Sequence, residues 1–268
     1  MQNNEDMLSF AVGIAKEAGK IITEYFYHAN RSDVVAKDNG TPVTEADTQV
    51  NRLVIDRIRA KYPDHGILGE EQSHEQARRE LWVCDPIDGT NAFIHGIPTA
   101  LFSLAYVVDG VPQVAVMYDP FQDLAFTAVR GGGAFCNGQK IQVSAREALD
   151  GATIGSTASY HQIKERAAVC DWLTEQGASL LMAPGNVFRS GLVARGLMDA
   201  HIFPGRGAHD IAAAALIVPE AGGKVTDLDG NEQRYDRLIR GAIISNGHLH
   251  GQLVEAVKKL GSEQFLGY

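Results

Sequence analysis

The chain has 268 residues, of which 45% are hydrophobic, so it can bury a sizeable core in one large domain or in two closely packed subdomains. Its formal net charge of −9 disfavours nonspecific binding to nucleic acid, and its longest aliphatic run, residues 211–218, is too short to span a membrane. The first residues lack the pattern of a secretory signal, and the cysteines are few and scattered, as reduced thiols would be, so we expect a cytoplasmic protein.

The first half of the chain is predicted to begin with two helices and to continue as a largely antiparallel sheet. Apolar residues at helical spacing predict a helix over residues 7–27, and the breakers Asn39-Gly40 mark the loop that follows it. Thr44 is placed to N-cap a second helix, which Tyr62-Pro63 ends. The predicted strands cover residues 66–69, 81–84, 103–108, 113–118, 124–129 and 141–143, with tight turns at residues 109–110 and 137–138.

The second half alternates strands with helices. Strands are predicted over residues 152–155, 180–182, 200–203, 224–226 and 242–245. Helices are predicted over residues 161–176, 187–196 and 210–221, with a last helix from about residue 248. Because helices come before, between and after sheets, the pattern indicates an α/β or α+β layered sandwich. We expect one domain over residues 1–268, built from subdomains at residues 1–150 and 151–268.

The stretch WVCDPIDGTNAF, residues 82–93, carries the first indication of chemistry. Asp85 and Asp88 follow a buried strand, and two carboxylates about 4 Å apart repel by roughly 4 kcal/mol at an effective dielectric constant near 20. A divalent cation between them would remove that repulsion, and oxygen ligands favour Mg²⁺ over zinc. An alternative needs no metal: Asp85 forms a turn, and Asp88 N-caps a helix that begins near Thr90.

Further polar side chains allow the same two interpretations. Glu70 is either a surface charge or, if its strand neighbours that of Asp85, part of the same rim of the sheet. Asp210 either N-caps the helix that it opens or reaches the site, and His209 is either a metal ligand or a supporting side chain. Asp47 either only completes a capping box or also turns toward the site and orients a hydroxyl.

Four segments together resemble the inositol monophosphatase family of Mg²⁺-dependent phosphatases. They occur in the family's order and at its spacings, so the resemblance covers nearly the whole chain. It implies the family's αβαβα fold, in which layers of helices and sheets alternate, as in fructose-1,6-bisphosphatase. The segments are PVTEAD (42–47), GEE (69–71), WVCDPIDGTNAF (82–93) and HDIAAAALIVPEAGG (209–223).

The resemblance implies that the acidic residues hold two or three Mg²⁺ ions. Glu70, Asp85 and the backbone carbonyl of Ile87 would hold the first ion. Asp85, Asp88 and Asp210 would hold the second, and Glu70 would also reach a third, weaker ion. The metal lowers the pKa of a water molecule, which then attacks phosphorus.

The resemblance also implies roles in phosphate binding and proton transfer. The backbone amides of Gly89 and Thr90, at the amino terminus of a helix, would bind the phosphate, because such N–H groups have no partner within the helix. Asp47 and Thr90 would hydrogen-bond each other and orient the attacking water. Together with Glu70 they form the implied catalytic group.

The chain departs from the family pattern in the segments that would recognise the leaving group, residues 186–191 and 203–209. The family has tryptophan where this chain has His209, and its inositol-hydrolysing members have glutamate where this chain has Phe203. We expect substrate contacts from Arg189, Phe203 and Arg206. Phe203 suits a core position equally well.

The resemblance implies a phosphomonoesterase that acts on a small polyol or sugar phosphate, such as an inositol-1-phosphate-like compound. Alternatives with the same fold are fructose-1,6-bisphosphatase, histidinol-phosphate phosphatase and 3′-nucleotidase. An alternative of another class is a regulatory protein that binds a partner protein, with incidental turnover. The implied partners are a small phosphorylated metabolite and a second copy of the chain, for which the apolar antiparallel strands offer an interface. No nucleic acid or membrane partner is expected.

Overall fold

The computed structural model describes residues 4–28, 35–36, 42–156 and 163–260; the predicted breakers Asn39-Gly40 lie outside these residues. The helices are α1 (Asn4–His28), α2 (Glu45–Lys61), α3 (Thr90–Ile94), α4 (Ile163–Glu175), α5 (Asn186–Ala194), α6 (Ala214–Glu220) and α7 (His250–Leu260). The strands are β1 (Val35–Ala36), β2 (Pro42–Val43), β3 (Gly66–Gly69), β4 (Glu80–Asp88), β5 (Leu101–Val108), β6 (Val111–Asp119), β7 (Leu124–Val129), β8 (Ala134–Cys136), β9 (Gln139–Lys140), β10 (Thr153–Ser156), β11 (Ser179–Leu181), β12 (Ala200–Phe203), β13 (Lys224–Thr226) and β14 (Ala242–Ser245).

A seven-stranded sheet in the order β3-β4-β5-β6-β7-β8-β9 forms the centre of the first half. β3 and β4 are parallel, and the other pairs are antiparallel. Side chains alternate along β5: Phe102 and Leu104 pack on one face, whereas Ala105 and Val107 pack on the other. Both faces are therefore buried within the chain, which corrects the expectation that these strands supply a dimer interface.

The second sheet has the order β11-β10-β12-β14-β13 and draws all its strands from the second half of the chain. β10 runs parallel to β11 and β12, and β14 runs antiparallel to β12 and β13. The two sheets thus come from separate parts of the sequence, although the division into subdomains at residue 150 stays a prediction.

Helices and sheets alternate as five layers. α1 packs on β5, β6 and β7, and α2 packs on α1 and β4. α5 and α6 lie between the sheets, because both contact strands of each sheet. α7 covers β14, and α4 covers β11 and packs on α7. The predicted αβαβα sandwich is confirmed, and three apolar clusters fill the spaces between its layers.

Three predicted elements differ clearly from those in the structure. Residues 141–143 form no strand, because the Asn137-Gly138 turn joins β8 to β9 and the ladder ends at Lys140. The helix predicted over residues 210–221 begins only at Ala214, after turns over residues 209–213. β4 is longer than predicted and runs through both aspartates to Asp88. Within the described part of the chain, every helix is too short or too polar to cross a membrane.

Candidate active site

Asp85 and Asp88 lie on the same side of β4 because the strand contains a bulge between them. In a regular strand, residues three apart point to opposite faces. Here Asp85 pairs with Ser103 and Asp88 with Leu101, so three steps along β4 correspond to two steps along β5. The extra residue in β4 brings the two carboxylates together.

Glu70 lies beside Asp85 because β3 and β4 are parallel neighbours. Gly69 pairs with Cys84, and the backbone N–H of Glu70 donates to the carbonyl of Cys84 at 3.1 Å. From the sequence, a role for Glu70 at the site required that its strand neighbour that of Asp85. The two strands are neighbours, so this condition is met. Pairing with β3 ends at Cys84, so Pro86 can continue β4 although it has no N–H for a ladder bond.

Asp88 caps a helix, but not the one that follows it in sequence. α3 begins after Gly89, and no side chain caps it, so the N-cap alternative for Asp88 is wrong. Its Oδ1 instead accepts from the backbone N–H of Asn186 at 2.8 Å, and its Oδ2 accepts from that of Val187 at 2.7 Å. These are the first two residues of α5. The carboxylate therefore satisfies N–H groups that would otherwise have no partner in the helix.

Asp210 is held by the same helix. It lies in the turns before α6 and does not cap that helix, whose N-cap position is Ala213. Its Oδ1 accepts from the side-chain amide of Asn186 at 2.7 Å, and Arg189 donates to the amide oxygen of Asn186. Arg189 thereby fixes which end of the Asn186 amide points to Asp210.

The ligand side chains converge as two overlapping groups. Ligand atoms of Asp85, Asp88 and Asp210 lie within 4.8 Å of one another, and so do those of Glu70, Asp85 and His209. Asp85 belongs to both groups and joins them into one site. The structure therefore brings together the four acids that the sequence singled out, and it adds His209.

Burial and mutual repulsion act against ionisation of these carboxyls. Burial, followed by the charges of Glu70, Asp88 and Asp210, raises the pKa of Asp85 well above its ordinary value of 3.8. Burial and the charge of Asp210 raise the pKa of Asp88 to about 7. Burial also raises the pKa of Asp210, an effect that His209 opposes. These three aspartates therefore keep protons at unusually high pH unless a cation compensates their charge.

One atom of the site has an unmet hydrogen-bonding requirement. Asp85 is 2% exposed, and its buried Oδ1 has no hydrogen-bond partner among the described residues. A buried acceptor without a partner is rare in folded proteins. A cation would supply the missing interaction, so the donor set fits a bound metal.

Asp47 combines the two roles that the sequence left open. Its Oδ2 accepts from the backbone N–H of Thr44 at 2.8 Å and from the Thr44 hydroxyl, which completes the predicted capping box. Its Oδ1 lies 3.3 Å from the hydroxyl oxygen of Thr90, so the predicted contact between Asp47 and Thr90 is present. Burial raises the pKa of Asp47 to about 6, and the Thr44 hydrogen bonds oppose this rise.

Thr90 opens α3 directly after Gly89, which follows the strand β4 that carries Asp85 and Asp88. Its hydroxyl oxygen lies 3.3 Å from Asp47 Oδ1 and 3.1 Å from the carbonyl of Ile87, and its single proton can go to either acceptor. Gly89 precedes it with a φ of 90°, a conformation that favours glycine. The strand thus turns sharply into α3 beside the acidic cluster.

The three predicted substrate-contacting residues differ in exposure. Arg189 is 1% exposed and donates to the carbonyl of Ala183. Phe203 is 6% exposed and belongs to the apolar cluster between the sheets, which matches its alternative assignment to the core. Arg206 is exposed in the segment after β12.

Sequence reasoning missed the contribution of Gly185 and the function of Asn186. Gly185 has a φ of 85°, and a Cβ there would lie 2.7 Å from Asp88 Oδ2. Only glycine lets the backbone approach that carboxylate. Asn186 lay in a segment assigned to leaving-group recognition, whereas in the structure it contacts two of the clustered carboxylates, those of Asp88 and Asp210. A glycine-asparagine pair directly before a predicted helix was the available signal.

The layered fold is also found in a solved structure named as an IMPase. The structure matches that of the Thermotoga maritima IMPase with a TM-score of 0.87 and 30% sequence identity, over 95% of this chain and 98% of that chain. The predicted fold class is thereby confirmed.

Curated relatives agree with this match over most of their length. A fructose-1,6-bisphosphatase/inositol-1-monophosphatase from Thermotoga maritima is 34% identical over 260 residues, which cover 96% of this chain and 98% of the relative. A histidinol-phosphatase from Chlorobaculum parvum is 34% identical over 252 residues, which cover 93% of this chain and 96% of the relative. Nus factor SuhB from Pseudomonas aeruginosa is 36% identical over 253 residues, which cover 90% of this chain and 91% of the relative.

A sequence model of the inositol monophosphatase family matches residues 3–262. The chain therefore belongs to the inositol monophosphatase family. The family consists of metal-dependent phosphatases, so the predictions of a phosphoric monoester hydrolase and of a metal requirement are confirmed at that level.

Proposed function

We propose that this chain is a Mg²⁺-dependent phosphomonoesterase that hydrolyses a small polyol or sugar phosphate with water as the attacking group. One observation carries the proposal: Asp85 belongs to two groups of ligand atoms, each within 4.8 Å. A single carboxylate shared in this way can bridge two cations, which is the arrangement that two-metal phosphatases use to bind the attacking and the leaving oxygen.

The donor set favours Mg²⁺. Four clustered carboxylates carry four negative charges when ionised, and two divalent cations would neutralise them; a third, weaker ion would share Glu70. Oxygen donors are the ligands that Mg²⁺ prefers. When bound, the ions lower the pKa of the attacking water and stabilise the departing oxygen. The proposed ligands are the side chains of Glu70, Asp85, Asp88 and Asp210 and the backbone carbonyl of Ile87.

Glu70, Asp47 and Thr90 orient the attacking water, and its proton passes to the carboxylate of Glu70 or, through the Thr90 hydroxyl, to that of Asp47. Thr44 holds one oxygen of Asp47, so the other oxygen is directed at the Thr90 hydroxyl. When Thr90 donates to Asp47, its hydroxyl oxygen is free to accept a hydrogen bond from water. The pair therefore fixes the direction from which water approaches the phosphate.

The backbone amides of Gly89 and Thr90 bind the phosphate in this proposal. They lie at the start of α3, where no side chain caps the helix, and directly after the carboxylates of β4. N–H groups at a helix start favour an anion. The phosphate would thus lie between the amides and the metal ligands.

The leaving group meets residues 186–191 and 203–209. Of the three predicted contacts, only Arg206 is exposed, so it is the one proposed to contact an anionic or hydroxyl group of the substrate directly. Arg189 and Phe203 are buried, so they shape the pocket from behind. The substrates named for the relatives share a phosphomonoester on a small polar molecule. The same chemical class is proposed for this chain.

A phosphate-release assay tests the proposal. The protein is stripped of metal with a chelator and assayed with inositol-1-phosphate, fructose-1,6-bisphosphate, histidinol phosphate and adenosine 3′-phosphate, with and without Mg²⁺. Mg²⁺-dependent release from at least one monoester is expected, together with its loss in Asp85→Asn. Release that is unchanged by chelation, or no release from any monoester, would overturn the proposal.

One observation favours a second candidate function. A relative at 36% identity is named as a Nus factor rather than as a phosphatase. A role in binding a partner protein would leave the acidic cluster without a purpose, so the phosphatase remains the first candidate. The same assay separates the two, because a binding protein requires no Mg²⁺-dependent turnover.

The proposal includes a homodimer in the cytoplasm. Leu181 and Met182, at the edge strand β11, are 40% and 55% exposed and offer apolar surface to a second copy. Cys84 and Cys136 are buried free thiols, as expected in a reducing compartment. Light scattering measures the mass in solution, and a single-chain mass at all protein concentrations would exclude the dimer.

A further inference from the structure

His209 belongs to a ligand group that contains nitrogen as well as oxygen. Its imidazole lies with Glu70 and Asp85 in a group whose ligand atoms are all within 4.8 Å of one another. The side chain is 22% exposed, and its Nε2 lies 3.4 Å from Asp210 Oδ2. The imidazole is therefore directed at the carboxylates.

Two further observations indicate that this arrangement is built into the site. Asp85, which the imidazole approaches, has a buried Oδ1 without a hydrogen-bond partner among the described residues. A Cβ at Gly207 would lie 2.6 Å from His209 Nε2 and 2.4 Å from Asp210 Oδ2. Glycine at this position leaves room for both side chains in their present orientation.

The two ligand groups differ in the chemistry of their donor atoms. The group of Asp85, Asp88 and Asp210 offers only oxygen, which suits Mg²⁺. The group that contains His209 offers an imidazole nitrogen, a donor that first-row transition metals bind and that Mg²⁺ seldom uses. The affinity of these metal ions for sites with nitrogen and oxygen donors rises from Mn²⁺ toward Cu²⁺. Mn²⁺ binds such sites most weakly, so it gives the most demanding test for a nitrogen ligand.

We propose that His209 is a ligand of the cation held by Glu70 and Asp85, and that this subsite takes a first-row transition-metal ion in preference to Mg²⁺. The inference rests on the proposed two-metal site and refines it, because the Asp85, Asp88 and Asp210 subsite keeps Mg²⁺. The chain would then combine one transition-metal ion with one Mg²⁺.

Pulsed electron paramagnetic resonance of the protein loaded with Mn²⁺ tests the ligand directly. A nitrogen coupling from imidazole is expected, and labelling the histidines with ¹⁵N is expected to change it. The coupling should disappear in His209→Gln and remain in His95→Gln, which alters an exposed histidine at the end of α3. Bound Mn²⁺ without a histidine coupling in the unmodified protein would overturn the inference, whether or not the variants fold.

Calorimetric titration of the metal-free proteins gives a second measure. His209→Gln is expected to raise the Kd for Mn²⁺ by about 10-fold or more and to change the Kd for Mg²⁺ by less than about 3-fold. His95→Gln is expected to leave both values unchanged. Equal changes of both Kd values in His209→Gln would show that the histidine only packs against the site.

These measurements separate this inference from the proposed phosphatase. A histidine coupling to Mn²⁺ in a protein that releases no phosphate with any divalent ion would uphold the ligand and overturn the function. Mg²⁺-dependent phosphate release in a protein whose bound Mn²⁺ shows no histidine coupling would uphold the phosphatase function and overturn His209 as a ligand.

Discussion

The carboxylate of Asp88 accepts a hydrogen bond from the backbone N–H of Asn186, the first residue of α5, which lies 98 positions later in the chain. The same carboxylate belongs to the acidic cluster with Asp85 and Asp210. One side chain therefore closes a helix and contributes to the candidate metal site. Asp85 differs, because its Oδ1 has no partner among the described residues.

This difference predicts unequal effects of two substitutions on the stability of the metal-free protein at pH 8. Asp85→Asn is expected to raise the free energy of unfolding by about 1 kcal/mol or more, because at pH 8 folding must either bind a proton to Asp85 or bury its charge, whereas asparagine is neutral in both states. Asp88→Asn is expected to raise the free energy of unfolding by less than Asp85→Asn, or to lower it. An amide nitrogen that faces the N–H groups of α5 cannot accept their hydrogen bonds, so the variant loses a cap worth about 1 kcal/mol. Urea unfolding in chelator measures both values. An Asp85→Asn protein less stable than the unmodified chain would contradict the argument.

The hydroxyl of Thr90 predicts a second pair of variants. Thr90→Val removes the proton shared between Asp47 Oδ1 and the carbonyl of Ile87, so the attacking water loses its orienting partner. Turnover is expected to fall by about 100-fold, within the range for general acid–base groups. Thr90→Ser keeps the hydroxyl and is expected to retain most activity. Steady-state kinetics at saturating Mg²⁺ compares them, and equal kcat values for the two variants would remove the hydroxyl from the mechanism.

Gly185 predicts a long-range effect of a backbone position on the site. Gly185→Ala would place a Cβ 2.7 Å from Asp88 Oδ2 at a φ of 85°, whereas Gly131→Ala has a similar φ of 77° and meets no described atom within 4 Å. Each substitution costs roughly 1–2 kcal/mol for the backbone conformation. Only Gly185→Ala is expected to lower turnover and metal affinity as well. Unfolding, kcat and metal titration measure the difference, and unchanged metal affinity in Gly185→Ala would refute the contact.

The raised pKa values predict that metal-free protein loses stability as pH rises from 6.5 to 8.5. Asp88, with a folded pKa of about 7 and an ordinary value of 3.8, binds more protons in the folded state across the lower part of this window. Stability therefore falls as pH rises through the folded pKa. The pKa values of Asp85 and Asp210 are also raised, so both residues change stability in the same direction as Asp88. Burial lowers the pKa values of His65, His201 and His250, so their opposing effects fade as pH rises past their ordinary value of 6.5 and are absent from the upper part of the window.

Calorimetry in chelator checks this prediction. A fall of roughly 2–4 °C in Tm is expected for each 1 kcal/mol lost in a chain of this size. Mg²⁺ is expected to remove the fall, because its ligands bind as carboxylates and its affinity rises with pH. A Tm in chelator that is higher at pH 8.5 than at pH 6.5 would contradict the raised pKa values.

Local sequence patterns predicted most of the elements and the acids of the site. The capping box of Thr44 and Asp47 spans three positions, so its hydrogen bonds follow from local sequence alone. The turns at residues 109–110 and 137–138 follow from glycine's freedom at positive φ. The alternation of helices and strands predicted the layered fold, since each element has to bury its apolar face against another.

The details of the site depended on contacts between distant segments. Periodicity describes one element at a time, so it did not reveal the bulge that turns Asp85 and Asp88 to one side of β4. It also placed a helix start at Asp210, although that carboxylate interacts with Asn186 across the chain. The sequence allowed Phe203 to be either a substrate contact or a core residue, and only the packing between the sheets shows that it is buried.

The sequence by itself identified the candidate residues of the site: four acids of the predicted metal cluster, a hydroxyl and the glycine at the start of α3, each at the end of a recognisable element. Only the tertiary structure decided how they are shared. Asp85 belongs to two ligand groups, Asp88 also caps α5, and His209 adds nitrogen to one group. The physical reason is that hydrogen bonds and close approaches between segments about a hundred residues apart depend on how the layers pack, which local spacing does not encode.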